Sequence, residues 1–420
     1  MSSTFYKQFN NNLRLVHKPM SGIRSLSIGV WVGAGSAFER PDENGVSHFI
    51  EHMLFKGTKK RTAFEIADAV DSLGAQINAF TAKECTCFFT KSVDEHAENC
   101  FEILSDLLFN SVFSAKEAKK EKAVVCEEIS MVEDTPEDVC HELLASAMFD
   151  GHCLGQTILG KPDTVNGFDK KIISDYMKRR YTASNTVIAV AGNLSAETAE
   201  DLTRRYFFEP FKNTADSPWP LCLPVHTNKF LSRVKPIEQA NIAIGFPAVP
   251  FNSTRTYAVM LFNNIFGASM SARLFQKVRE ELGLAYSIYS YVSVYKHCGL
   301  FSIFCGTNPQ SAEKAAAAIR GEIDKLLKDG ITAEEFARGK AQLKGGFILG
   351  HESTSAVMNV LGKTLLTNGE VFDTDDRVAR IDAVTPDDVR AVYREIFDYK
   401  QTCAALVAPE EKDILKIILE

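Results

Sequence analysis

Residues Ser25-Leu26-Ser27-Ile28-Gly29-Val30-Trp31-Val32 alternate small or polar with apolar side chains, the period-two pattern of a half-buried strand. From Gly45 to Gly57 the apolar positions recur at helical period. Thr62-Ala63-Phe64-Glu65 caps a second helix that Gly74 ends, and Ala75 to Thr90 returns to strand composition. Part of this design recurs. Val165 to Ala191, with Phe168, Ile173, Tyr181 and the run Val187-Ile188-Ala189-Val190, lies on Ile381 to Val407 at an offset of 216, where Val384, Val389, Phe397 and Ala404-Ala405-Leu406-Val407 fill the same places. Ser114-Ala115-Lys116-Glu117 and Thr332-Ala333-Glu334-Glu335 are capping boxes 218 apart, and each opens a long helix.

Each half therefore reads as strands, a helix, more strands, several helices and a closing strand. The fold class is α+β: two homologous domains of about 210 residues, each an antiparallel-rich sheet packed with helices. The proline-bearing stretch with Pro218, Pro220 and Pro224 marks the junction. This predicts an N-terminal domain over 1–212, a linker over 213–227 and a C-terminal domain over 228–420. A length of 420 residues agrees, being too long for one ordinary core.

Composition narrows the function classes. With 45% hydrophobic and 24% charged residues, the chain has the make-up of a soluble globular protein. Its net charge of -7 speaks against a nucleic-acid partner, which requires clustered Lys and Arg. Lys59-Lys60-Arg61 and Lys119-Lys120 are short, lie among acids and read as solvated helix faces. The ten cysteines include no C-x-x-C pair, and Cys85-Thr86-Cys87 suits alternate faces of a strand, so reduced, buried thiols are expected. Neither an apolar leader after Met1 nor a run of about 18 apolar residues is present, so no membrane partner is expected. The expected compartment is the cytoplasm, or an organelle matrix if a transit peptide has been removed.

Candidate chemistry sits on the helical stretch Gly45–Gly57, which carries His48-Phe49-Ile50-Glu51-His52. Positions i, i+3 and i+4 share a helix face, so His48, Glu51 and His52 project into one small volume. Two imidazoles there can hold one Zn²⁺, and the intervening Glu51 is placed as the base that takes a water's proton. With nine histidines in the chain, composition alone produces this pattern in about one such sequence in a hundred. A third ligand is needed, and the helix opened by Ser114 offers Glu117, Glu121, Glu127 and Glu128. Glu121 and Glu128 are seven apart and stack on one face, whereas Glu127 points about 100° away from Glu128. Glu128 is therefore the expected ligand and Glu121 the support of a histidine. In the second half Glu121 falls on Gly339 and Glu128 on Gly346, while at an offset of 212 His48, Glu51 and His52 fall on Met260, Asn263 and Asn264. Only the first half carries the set.

The stretch from Asn44 to Thr58, Asn-Gly-Val-Ser-His-Phe-Ile-Glu-His-Met-Leu-Phe-Lys-Gly-Thr, resembles the signature of the pitrilysin and insulysin metallopeptidases, the inverzincins. Gly74-Ala75-Gln76-Ile77-Asn78-Ala79-Phe80-Thr81, Glu127-Glu128-Ile129-Ser130-Met131 and Arg279-Glu280-Glu281-Leu282-Gly283-Leu284-Ala285-Tyr286 agree with it across both halves. The length is similar to that of the short subfamily containing the catalytic (beta) subunit of mitochondrial processing peptidase and its bacterial homologues. Departures are Asn11-Asn12-Leu13, where the family reads Asn-Gly-Leu, and the cysteines at 85 and 87.

The resemblance implies a zinc endopeptidase acting on peptides or unfolded segments inside a chamber enclosed by a dimer. That dimer would be a homodimer or a heterodimer with a related chain. It also implies that Arg279 and Tyr286 reach the zinc site of the partner chain, where they bind the substrate carbonyl and stabilise the oxyanion, and that Asn78, Ala79, Phe80 and Thr81 pair with the peptide backbone. The competing expectations for this fold are a noncatalytic core or scaffold subunit and a chamber that sequesters peptides without cutting them.

Overall fold

The structure, a computed structural model, describes residues 4–211, 215, 219 and 223–420. The chain forms two compact units, each discontinuous in sequence: Met1–Ile129, Gln156–Pro220 and Gly350–Asp373 make the first, and Ser130–Gly155, Leu221–Leu349 and Thr374–Glu420 the second. A division at the linker places 130–155 with the first half and 350–373 with the second, whereas each segment belongs to the other half's unit. Of the predicted linker, Pro218 and Pro220 lie outside the described residues.

The first unit holds a six-stranded sheet of β1 (Phe5–Gln8), β2 (Arg14–Pro19), β3 (Ser25–Val32), β4 (Gln76–Thr81), β5 (Thr86–Val93) and β6 (Thr186–Gly192). Their order is β1-β2-β6-β3-β5-β4, antiparallel throughout except for β2 with β6. Helices α1 (Val46–Leu54), α2 (Ala63–Asp71), α3 (Ala97–Asn110) and α4 (Ala115–Glu133) follow in chain order, interleaved with the strands.

β3 departs from the half-buried expectation, because all of Leu26–Val32 is buried. Leu26, Ile28, Val30 and Val32 enter the unit's main core. The alternate face does not meet water, because the helix Thr354–Asn368 covers it. Ser27 Oγ donates to Thr354 Oγ1 at 2.9 Å, and the Trp31 indole N–H donates to Met358 Sδ at 3.4 Å. The approach is close enough that a Cβ on Gly362 would lie 2.2 Å from Trp31 Nε1. The small residues in the alternation make room for a helix.

In the second unit β7 (Lys229–Val234), β8 (Ala240–Ala248), β9 (Ala285–Val294), β10 (Gly299–Thr307) and β11 (Cys403–Ala408) are ordered β7-β11-β8-β10-β9. That repeats β2-β6-β3-β5-β4, down to the one parallel pair, β7 with β11. The helices Lys170–Arg180 and Pro386–Ile396 stand at the predicted shift of 216 at both ends. Here α5 (Pro136–Met148) packs on β8 and β11, and the Cys140 thiol lies 3.2 Å from the Asn241 carbonyl oxygen. Asn12, in place of the resembled family's glycine, adopts φ 67°, a left-handed conformation that Asn tolerates better than most side chains. Among the described residues no helix is long and apolar enough to cross a membrane.

Candidate metal centre

α1 begins at Gly45, whose φ of 97° and close approach to the Leu159 carbonyl, 2.6 Å from an added Cβ, both call for glycine. The first N–H groups of a helix lack intrahelical partners. Here the buried Glu39 carboxylate supplies them, accepting from Gly45 N–H at 2.7 Å, Ser47 N–H at 2.8 Å and the Asn44 carboxamide at 2.9 Å. Burial pushes the Glu39 pKa up, and these donors pull it back. Val46, Phe49, Ile50, Met53 and Leu54 lock the other face of the helix into the core. With both end and face held, the direction of His48, Glu51 and His52 is set.

α4 crosses this face with the stripe Ala118, Glu121 and Val125 buried and Glu128 half-buried, whereas Glu127 is exposed. Ser114 Oγ accepts from Glu117 N–H at 3.2 Å as a cap, but the Glu117 carboxylate turns to Lys120 at 2.8 Å. Glu128 Oε2 lies 3.6 Å from His48 Nε2 and 3.5 Å from His52 Nε2. Among the described residues these three form the one group able to share an ion, their ligand atoms lying within 4.8 Å of one another.

The donor set fits zinc in both chemistry and spacing. Bonds of about 2.0–2.2 Å place the corners of a tetrahedron about 3.4 Å apart. Burial, and then the neighbouring His52, lower the His48 pKa to about 4, so its imidazole is neutral and free to ligate at pH 7. The Glu121 carboxylate accepts at Oε2 from His52 Nδ1–H at 3.2 Å, leaving His52 Nε2 for the ion. Its other oxygen, Oε1, meets the Lys56 ammonium at 2.8 Å. Among the described residues the buried His48 Nδ1 has no hydrogen-bond partner.

Glu51 shares the histidine face without joining the ligand group. Burial raises its pKa, and the Thr81 hydroxyl, donating to Glu51 Oε2 at 2.5 Å, opposes the rise. Thr81 ends β4, which lies at the sheet edge and, among the described residues, pairs with β5 alone. Asn78 is exposed, Ala79 packs against the core, and Phe80 meets Trp31 edge-on with ring centroids 5.4 Å apart. Arg279 and Tyr286 belong to the second unit, where the guanidinium sits 5.3 Å from the tyrosine ring centre and the ring is 76% exposed.

The second unit holds an uncharged copy of this arrangement. Asn264, at the position of His52, donates its carboxamide to the carbonyl of Gly339, at the position of Glu121, at 3.0 Å. Ser290 on edge strand β9 donates to Asn263, at the position of Glu51, at 2.7 Å, as Thr81 does to Glu51. A Cβ on Gly339 would lie 2.6 Å from Ile265, so no carboxylate fits between the helices there without a shift. Sequence reasoning missed Glu39 and Lys56. Glu39 stands outside any local capping pattern, whereas Lys56, one turn after His52, was open to an i+4 reading.

Fold and site together define the scaffold of an inverted-motif metallopeptidase. Residues 16–162 match the model described as insulinase (peptidase family M16), and 167–343 the model described as peptidase M16 inactive domain. A Bacillus subtilis relative named an uncharacterized zinc protease, YmxG, is 41% identical over 95% of this chain and 97% of its own. One from Streptomyces coelicolor, also named an uncharacterized zinc protease, is 36% identical over 96% of this chain and 90% of its own. In fold, the chain matches the crystal structure of a Helicobacter pylori protease with a TM-score of 0.90 at 22% identity, covering 97% of this chain and 99% of that one. It also matches the structure titled peptidase M16 inactive domain from Pseudomonas fluorescens, with a TM-score of 0.90 at 18% identity and 98% of each chain covered. The chain belongs to peptidase family M16, the insulinase family.

Proposed function

We propose that this chain is a zinc-dependent endopeptidase that hydrolyses peptides or unfolded protein segments. The reading rests above all on Glu51, a partly exposed carboxylate one helical position from a ligand, held by Thr81 and left out of the ligand set. Zinc held by His48, His52 and Glu128 would supply Lewis acidity, acidifying a water and polarising a carbonyl. Glu51 takes the attacking water's proton on its carboxylate and passes it to the leaving amine nitrogen. Thr81 keeps one carboxylate oxygen occupied, so the other faces the water. The free edge of β4 receives the substrate as an added strand, which sets the scissile bond in register with Glu51. In a dimer, Arg279 and Tyr286 of one chain reach the site of the other, bind the substrate carbonyl and stabilise the oxyanion. The working form is a dimer, of this chain with itself or with a related chain, enclosing the substrate.

Glu51→Gln tests the assignment. The variant retains stoichiometric zinc by elemental analysis and loses turnover of denatured casein, with peptides mapped by mass spectrometry with and without chelator. Near-normal proteolysis by this variant would remove Glu51 from the mechanism. A zinc-free protein as purified would favour the scaffold reading.

A further inference from the structure

The edge that β4 presents is already partly occupied by one of its own side chains. Ala82 N–H donates to the Cys85 carbonyl at 2.8 Å and closes the turn into β5. Paired residues in an antiparallel ladder alternate between bonded and non-bonded, so the next pair, Thr81 with Thr86, is non-bonded, and so is Ala79 with Phe88. The backbone N–H and C=O groups of Ile77, Ala79 and Thr81 therefore point away from β5, along the edge where no further strand follows among the described residues, whereas those of Asn78 and Phe80, also expected to pair with a peptide backbone, face β5. The side chains of Ile77 and Ala79 pack on the core that α1 enters, and that of Thr81 holds Glu51. One of the outward donors is taken: Ala79 N–H donates to Asn78 Oδ1 at 2.8 Å.

The geometry points to Asn78 as a displaceable stopper on this edge, its carboxamide oxygen holding the Ala79 N–H that a carbonyl of an incoming extended peptide takes. The inference rests on the reading of β4 as the strand that receives substrate. Binding then requires the exposed Asn78 side chain to rotate away, exchanging one hydrogen bond for another. In the free protein the stopper breaks the row of open backbone groups that would otherwise invite a strand from another copy of the chain. Ala79 is two residues from Thr81, so the stoppered donor lies one pairing step from the residue that holds Glu51.

The test measures affinity for a fluorescein-labelled synthetic casein peptide by anisotropy, on zinc-loaded protein carrying Glu51→Gln so that nothing is cut. Asn78→Ala in that background is expected to tighten binding about two- to tenfold, the span of one net hydrogen bond. Asn78→Val, which favours a strand, is expected to do the same and guards against a fraying β4. Unchanged or weaker binding in both variants overturns the stopper. A second arm uses the same peptide with backbone N-methyl groups on alternate residues, in each of the two phases. Weaker binding of either methylated form, with no tightening by the variants, removes the stopper alone. If both methylated forms bind as well as the parent, the strand-pairing reading falls and the stopper with it.

Discussion

Glu121→Gln probes how the ligand histidine is held. Glu121 is buried and uses both oxygens, one on His52 Nδ1–H at 3.2 Å and one on Lys56 at 2.8 Å. A glutamine keeps one acceptor but turns an NH₂ towards either the imidazole N–H or the ammonium, so only one contact survives. Losing one charge-assisted hydrogen bond costs about 1.5–3 kcal/mol. By the usual conversion, that is about ten- to a hundredfold in zinc affinity, and partners that orient a metal-bound histidine fall in the same range. The assay is a competition titration of zinc against a chelator of known affinity at fixed pH. The structure adds a sharper condition: Lys56→Met in the same chain removes the donor that collides with the new NH₂. The double variant should therefore bind zinc better than the sum of the two single losses predicts. Additivity within about 0.3 kcal/mol, or an affinity for Glu121→Gln within twofold of the parent, would refute the shared role of Lys56 and Glu121.

The remaining predictions use other contacts of the same frame. Thr81→Val removes the hydroxyl that holds the Glu51 pKa down. Because the base works only when deprotonated, the acid limb of kcat/KM should move to higher pH, and an unmoved limb in a stopped-time peptide assay would count against the contact. Glu39→Gln leaves one of the α1 N–H groups facing an NH₂ and should cost about 1–3 kcal/mol, read by urea unfolding, with a matching loss of zinc affinity as α1 shifts. Gly362→Ala places a methyl on the Trp31 indole and should destabilise the first unit by about 1–3 kcal/mol. A red shift in Trp emission at lower urea would report it.

Some of this was legible along the chain and some was not, for physical reasons. His48, Glu51 and His52 are local in sequence, so helical period alone brings them together. The choice of Glu128 over Glu127 followed from the angle between neighbours on a helix, and Glu127 is exposed. The period-two pattern of β3 located a strand, but alternation cannot distinguish a face open to water from one roofed by a helix. Ser27 and Gly29 look solvent-facing until the helix Thr354–Asn368 is placed over them. The same blindness explains the helices Pro136–Met148 and Thr354–Asn368, each of which joins the unit built mainly from the other half of the chain: an amphipathic helix shows which face it buries, not which sheet it meets. Glu39 eluded the reading because its role spans a bend of the chain, with acceptor and donors five to eight residues apart outside any helix register.

The uncharged copy in the second unit bears on how the first would take up the proposed zinc. There, amide and hydroxyl groups make the same helix-to-helix and helix-to-edge contacts with no ionisable ligand present. The framework of such a socket thus closes on its own, unlike a small zinc module that is unfolded until the metal arrives. Stripping the ion from the first unit should leave its secondary structure and most of its melting temperature in place. Reloading should proceed as simple ligand exchange, with a rate first order in added zinc and no refolding phase.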